Sequence, residues 1–253
     1  MAVEEIKPYD TQGNKTEQVE QMFDSIAPSY DFMNHAMTFG LDRRWRDKAI
    51  SLLMRRAGAS LQSPQILDVA CGTGDVSFRL RELIPSQVTG IDLSSGMLAQ
   101  ARQKLAAPRY KKFEGSIFFQ EADCLELPFA DDSFDIITVA YGVRNFEHLD
   151  KGYAGMLRVL RPGGILCVLE LCEPSNALMR GLYRLYSRCV IPLMGRLVSG
   201  DRKAYSYLLK SIEECPQRKK MTALMERCGF REARFKALFP GTVAVYTALK
   251  KYK

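Results

Sequence analysis

Apolar residues recur at helical spacing in the first fifty positions, and beyond them short apolar runs alternate with helical stretches. Residues 16–32 carry Val19, Met22, Phe23, Ile26 and Tyr30 at helical spacing, with Thr16 as candidate cap and Glu17 and Glu20 in the first turns. Leu41 to Met54 forms a second such stretch around Trp45, Ile50, Leu52 and Leu53. Runs at 65–69, 88–92, 117–122, 134–140 and 164–171 then read as strands, separated by helices near 75–84, 95–105 and 150–160. That alternation predicts a doubly wound, mostly parallel α/β sheet. Residues 175–215 interrupt it with a long helical segment, followed by a helix over 217–228 that stops at Gly229. Two strand-like runs, Arg231–Leu238 and Thr242–Leu249, close the chain and predict a seven-stranded sheet with an antiparallel final strand. No repeat or linker divides the sequence. Residues 1–253 therefore read as a single domain, with a helical cap at about 16–54 and a helical insertion at about 175–215. Residues 1–15 are polar and read as loosely ordered.

The sharpest local pattern is Ile66-Leu-Asp-Val-Ala-Cys-Gly-Thr-Gly-Asp75, followed by Val88 to Ile91 and an acid at Asp92. Strand, glycine turn, helix, strand and acid make half of a nucleotide-binding βαβ unit. Gly72 and Gly74 let the backbone approach a ligand, and a carboxylate about 20 residues on can accept from ribose hydroxyls. Ser77 occupies the place of the third glycine that a bound pyrophosphate requires, and Asp75 adds negative charge at the helix start. The loop suits a ligand with a ribose and a cation but no phosphate, a description that S-adenosylmethionine meets. The alternative is an ordinary glycine-rich turn.

Composition narrows the setting. The chain is 47% hydrophobic, ordinary for a globular protein, and has no run of about 18 uncharged apolar residues as a membrane span requires. Its polar, acid-bearing start is unlike a secretory signal. Seven cysteines without a Cys-x-x-Cys pair argue against a disulfide framework or a zinc site. No metal is expected, and the thiols read as reduced, in a cytoplasm. A net charge of +7 favours anionic surfaces, either nucleic acid or membrane headgroups.

In open α/β sheets ligands bind at the carboxyl ends of strands. Those ends read Asp68 to Asp75, Gly90 to Ser94, Ala122 to Phe129, Ala140 to Phe146 and Leu169 to Pro174. Together they resemble the class I S-adenosylmethionine-dependent methyltransferases, with their Rossmann-like fold. Three further segments, Phe23 to Asn34, Gly142-Val-Arg-Asn145 and Tyr205 to Ile212, resemble one family among them. Its members are the C-methyltransferases that methylate the quinol ring in menaquinone and ubiquinone biosynthesis. The resemblance runs from about Val19 to the C-terminus. It implies methyl transfer from S-adenosylmethionine to a ring carbon of demethylmenaquinol, giving menaquinol and S-adenosylhomocysteine. The ubiquinone-pathway benzoquinol ring, or both rings, stays open as an alternative. It also implies Thr73 in the cofactor loop, Asp92 on the ribose, and Asp123 with Cys124 beside the adenine. Ala140 stands where some relatives have serine and Asp42 where relatives often have histidine, so neither is assigned a role. A nucleic-acid methyltransferase or binding module is the rival from another class. The fourth strand ends in Tyr-Gly-Val-Arg-Asn, not the Pro-Pro loop used for flipped bases, so no nucleic-acid partner is expected.

Ring methylation needs an electron-rich carbon in line with the sulfonium methyl and help in removing protons. Arg144 and Asn145, past the fourth strand, are candidates to hold a phenolate oxygen. Arginine stays protonated, so Arg144 reads as an electrostatic stabiliser acting with an ordered water as base. Tyr30 could close over the substrate from the cap. The alternatives are a surface salt bridge from Arg144 to Glu147 and burial of Tyr30 against the sheet. His35 and His148 read as structural, and Glu170 as a buried acid paired locally. Arg180, Arg184 and Arg188 recur every four residues and would form a cationic stripe on one helix, with Leu178, Leu182, Leu185, Met179, Tyr183 and Tyr186 as its apolar remainder. Such a helix could rest on an anionic membrane, giving peripheral contact at the inner face of the cytoplasmic membrane and access to a prenylated quinol. Self-association as a homo-oligomer is left open.

Overall fold

The computed structural model describes residues 2–9, 12–58, 62–198 and 202–252. Helices α1 (Ala2–Glu5), α2 (Lys15–Ile26), α3 (Tyr30–Met37) and α4 (Leu41–Ala57) precede the sheet. Then come β1 (Gln65–Val69), α5 (Asp75–Leu83), β2 (Gln87–Asp92), α6 (Ser95–Ala106), β3 (Ile117–Glu121), β4 (Phe134–Ala140), α7 (Leu149–Val159) and β5 (Leu160–Leu171). Helices α8 (Ala177–Val198), α9 (Arg202–Glu214) and α10 (Lys219–Arg227) lead to β6 (Arg231–Leu238) and β7 (Val243–Leu249).

The strands lie in the order β3-β2-β1-β4-β5-β7-β6. β1 to β5 pair in parallel, and β7 runs antiparallel to both β5 and β6, as the sequence pattern predicts. The order reverses between β1 and β4, so their carboxyl ends open a crevice at the switch point. Both faces of the sheet are covered at its centre, which is why β1, β4, β7 and most of β5 read as near-continuous apolar runs, while the edge strands β3 and β6 are largely exposed. Leu67, Val69, Ile137 and Val168 pack under α7 and α10, while Ile66, Val88, Ile136 and Ile165 pack under α4 and α5. A third apolar cluster joins α2 and α3 (Val19, Met22, Met33) to α6 (Met97) and α9 (Tyr205, Tyr207).

Three expectations change at the N-terminus. The stretch 16–32 is not one helix: Ala27–Ser29 forms a 3-10 turn, because Pro28 has no N–H to donate and its ring crowds the preceding turn. The cap is Asn14 rather than Thr16; Asn14 Oδ1 accepts from Glu17 N at 2.8 Å and Glu17 returns the bond to Asn14 N. Residues 1–15 are not loose over their described part. Val3 is fully buried, Glu4 accepts from Leu149 N at 2.8 Å, and Lys15 Nζ donates to the carbonyls of Val3, Arg144 and Phe146.

Candidate active site

The turn after β1 is built around steric limits. Gly74 has φ +82°, and a Cβ there would lie 2.7 Å from Phe119 Cζ, so no larger residue fits. Gly72 N donates to Asp92 Oδ2 at 2.7 Å and Ser94 N to Oδ1 at 3.0 Å. Burial nevertheless raises the Asp92 carboxyl above its ordinary value, the backbone amides only partly offsetting it. A cleft opens beside it. Four carboxylates, Glu20, Asp92, Asp123 and Glu147, contribute to its lining, with Leu93, Met97 and Leu125 between them and no lysine or arginine among the lining residues described. α2 covers it through Val19 and Phe23. Burial pushes the Cys124 thiol well up, so it stays a neutral thiol in the wall.

Gly72, Asp92, Asp123 and Cys124 all line this cavity; Thr73 and Gly74 do not. Thr73 Oγ1 donates to Asp31 Oδ1 at 2.6 Å and accepts from Lys104 Nζ at 2.9 Å. Asp75 also faces elsewhere, 2.7 Å from Lys104 Nζ and 3.0 Å from Arg46 Nη2. Burial alone would raise its carboxyl, but those two cations hold it below its ordinary value. The negative charge that the sequence attributes to Asp75 is therefore supplied to the cavity by Glu20, Asp92, Asp123 and Glu147. Ser77 has its own reason for not being glycine: its hydroxyl donates to Asp68 Oδ2 at 2.6 Å, and Thr138 donates to Oδ1 at 2.7 Å. Burial still pushes the Asp68 carboxyl up to about 6.

A second, larger and mostly apolar cavity of about 320 Å³ lies between α3, α4, α8, α9 and the turn after β4. The two cavities share Phe23, Tyr30, Tyr141 and Asn145 as a common wall. Tyr30 packs edge-on against Phe23, ring centres 6.0 Å apart, and burial raises its phenol. A 3-10 turn over Val143–Asn145 presents Arg144 and Asn145. Arg144 is 6% exposed and pairs with Glu170 Oε1 at 2.8 Å, not with Glu147, which accepts from Lys15 N, Thr16 N and the Thr16 hydroxyl instead. Burial opposes the Arg144 charge and Glu170 outweighs it, so the guanidinium stays charged. Asn145 Oδ1 accepts from the Tyr207 hydroxyl at 3.1 Å.

Several wall residues were given no role from sequence. Ala140, set aside there, lines the first cavity. Asp42, also left without a role, is buried in the wall of the second, 2.7 Å from both His35 Nδ1 and Arg46 Nη2. Tyr141 directly precedes the Gly142-Val-Arg-Asn segment, so its place at a strand end was a usable signal. Tyr207 comes from α9, within the Tyr205 to Ile212 segment that resembles the family, though nothing local to it points to the turn after β4. On α8 the arginines are not a free stripe: Arg180 donates to the carbonyls of Pro174 and Ser175, and Arg184 sits 3.4 Å from Glu173. Met179, Tyr183 and Tyr186 face the second cavity, while Leu178, Leu182 and Leu185 are exposed.

A model of the ubiE/COQ5 methyltransferase family matches residues 11–250. A demethylmenaquinone methyltransferase from Bacteroides fragilis is 46% identical over 248 residues, 98% of this chain and 98% of that protein. A ubiquinone/menaquinone biosynthesis C-methyltransferase, UbiE, from Geotalea daltonii is 42% identical over 238 residues, covering 93% and 97%. Among solved structures, a SAM-dependent methyltransferase from Thermotoga maritima superposes with a TM-score of 0.63 at 17% identity, over 91% of this chain and 99% of that one. At that identity the likeness concerns the fold, which is that of the class I methyltransferases. With the family model matched over nearly the whole length and near-full-length relatives above 40% identity, the chain belongs to the ubiE/COQ5 methyltransferase family.

Proposed function

We propose that this protein methylates a ring carbon of a prenylated demethylmenaquinol with S-adenosylmethionine, giving menaquinol and S-adenosylhomocysteine. The observation that carries this reading is the shared wall. A carboxylate-lined cavity suited to a cation meets a large apolar cavity at Phe23, Tyr30, Tyr141 and Asn145. S-adenosylmethionine, when bound, supplies an electrophilic methyl group on a cationic sulfur. Asp92 and Asp123 retain lone pairs to accept from its ribose and adenine, Gly72 allows close backbone approach, and Cys124 adds an apolar contact. Thr73 and Gly74 shape the turn from behind, through the Asp31 bond and the packing on Phe119.

On the acceptor side, loss of a quinol hydroxyl proton drives electron density to the neighbouring ring carbon. Arg144, held charged by Glu170, stabilises the resulting oxyanion, with Asn145 and Tyr30 orienting the ring. A charged guanidinium cannot accept that proton, so the base is a group other than Arg144, and we propose an ordered water in that role. The ring carbon would form its bond to the methyl group as the methyl–sulfur bond breaks, that electron pair staying on the sulfur of S-adenosylhomocysteine, and the ring carbon's own proton then leaves to solvent, restoring aromaticity.

A prenyl tail needs an exit to lipid. Phe39 and Leu182 line the second cavity and are also exposed, and Leu178 and Leu185 continue the same face of α8. We propose transient contact of this face with an anionic membrane; no helix among the described residues is long and apolar enough to cross one. Mass-spectrometric detection of a methylated product from a short-chain demethylmenaquinol tests the function. A demethylated benzoquinol run in parallel separates the two rings. Turnover of neither would overturn the reading.

A further inference from the structure

Lys15, the first residue of α2, is fully buried, an uncommon place for an ammonium group. Its Nζ donates to three backbone carbonyls, Val3 O at 2.6 Å, Arg144 O at 3.1 Å and Phe146 O at 3.1 Å. The last two flank Asn145. The 3-10 turn after β4 closes with bonds of its own, Asn145 N to Gly142 O at 2.9 Å and Phe146 N to Val143 O at 3.1 Å. Those bonds use the carbonyls of Gly142 and Val143, and Lys15 takes those of Arg144 and Phe146.

The clasp runs both ways. Glu147, just beyond the turn, accepts from Lys15 N and Thr16 N, both at 3.3 Å, and from the Thr16 hydroxyl at 2.7 Å. The start of α2 is thereby fixed to the segment that presents Arg144 and Asn145 to the acceptor cavity. The Nζ half of the clasp depends on a proton. An ammonium has three hydrogens for its three acceptors; a neutral amine has two, and its lone pair would face a carbonyl oxygen. Burial opposes the charge and brings the Lys15 pKa down from 10.5 to about 8, with Glu4 and Glu147 acting to keep the group charged and Arg144 acting against it. The Cys215 thiol, just past α9, also faces the ammonium, but burial pushes that thiol up and it stays neutral.

We propose that Lys15 is a positioning residue for methyl transfer: its ammonium sets the turn so that Arg144 and Asn145 meet the acceptor ring, and loss of its proton releases that setting. This rests on the quinol-methylation reading. Lys15 is among the lining residues of neither cavity, so it acts through the turn and not on substrate.

Lys15→Met keeps the stem and removes the donors. Its single-turnover rate on a two-isoprene demethylmenaquinol, per site counted by S-adenosylhomocysteine binding, should fall about 10- to 100-fold, the scale of a misplaced catalytic group. Affinity for S-adenosylhomocysteine should stay within about threefold. The required form is the protonated one, so the wild-type rate should fall as pH rises through about 8. Lys15→Arg, charged throughout, should lose that fall. A Lys15→Met protein that only unfolds more easily, with the wild-type rate per site, overturns the proposal. Loss of cofactor affinity in step with rate does the same, as does an alkaline fall that Lys15→Arg shares. Should neither variant fold, the wild-type profile decides: a fall through about 8 upholds the clasp, and a rate that holds or rises overturns it. Absence of wild-type turnover on either quinol overturns the methylation reading itself.

Discussion

Arg144 and Glu170 form a pair whose members are both almost fully buried. Removing one partner strands the other charge, at a cost of about 3–5 kcal/mol, whereas neutralising both is far milder. Arg144→Ala should therefore unfold at markedly lower urea concentration than wild type, and its lost turnover would mix folding with chemistry. The double variant Arg144→Gln/Glu170→Gln should recover most of that stability yet methylate about 100-fold more slowly, the scale of a lost oxyanion donor. Recovery of turnover along with stability would assign the pair to folding alone. Asp68 gives a pH signature. Its carboxyl sits at about 6 in the fold against 3.8 in water, so the folded state binds the proton more tightly. The stability it contributes is full below pH 4 and is lost as pH rises through 6, about 3 kcal/mol in all. Asp68→Asn should gain on wild type by about that amount between pH 4 and pH 7.5 in denaturation curves. A constant difference across that range would contradict the buried, protonatable carboxyl.

At the scale of elements, α8 divides into three faces. One covers the acceptor cavity with Met179, Tyr183 and Tyr186, a second carries the arginines, and a third leaves Leu178 73% and Leu185 64% exposed. Because Arg180 is held by carbonyls and Arg184 by Glu173, the leucines rather than the guanidinium groups should dominate membrane contact. Leu178→Ser/Leu182→Ser/Leu185→Ser should reduce sedimentation with anionic vesicles at least tenfold at low and high salt alike. Arg184→Gln and Arg188→Gln should each reduce it about fivefold at low salt only, the effect of about 1 kcal/mol per basic residue. Pelleting of the leucine variant at the wild-type level would exclude this face. The sequence period locates all three faces but not their neighbours. Which one is covered depends on where α8 docks on α3 and α9, and no local signal carries that.

For the molecule as a whole, the N-terminal helices are fastened on both sides of the carboxylate-lined cavity. Asp24 accepts from the Ser94 hydroxyl and Gly96 N, Asp31 bonds Thr73 and Lys104, and Glu147 holds the start of α2. A ligand in that cavity should therefore tighten the cap as well as the loop. S-adenosylhomocysteine at 100 times its Kd should stabilise the fold by about 2.7 kcal/mol. For a chain of this length that raises Tm by roughly 5–10 °C. Amide exchange across residues 15–30 should slow more than in α10. Equal slowing throughout would mean that the cap does not close on the ligand.

The sequence by itself determined the order of strands and helices, the glycine turn, and the identity of the strand-end residues near the site. Side-chain period and glycine sterics act over a few residues and need no partner from elsewhere. Tertiary structure decided which of those residues are free to meet a ligand. Thr73 and Asp75 are engaged by Asp31, Lys104 and Arg46, and Arg144 by an acid 26 positions later. Asp42 and Tyr207 reach the same cavity from helices far apart in the chain. Hydrogen-bond partners and burial are set by which elements meet in space. Only the packed fold therefore left the Tyr141 hydroxyl and Arg144 Nε buried and unpaired in the turn after β4.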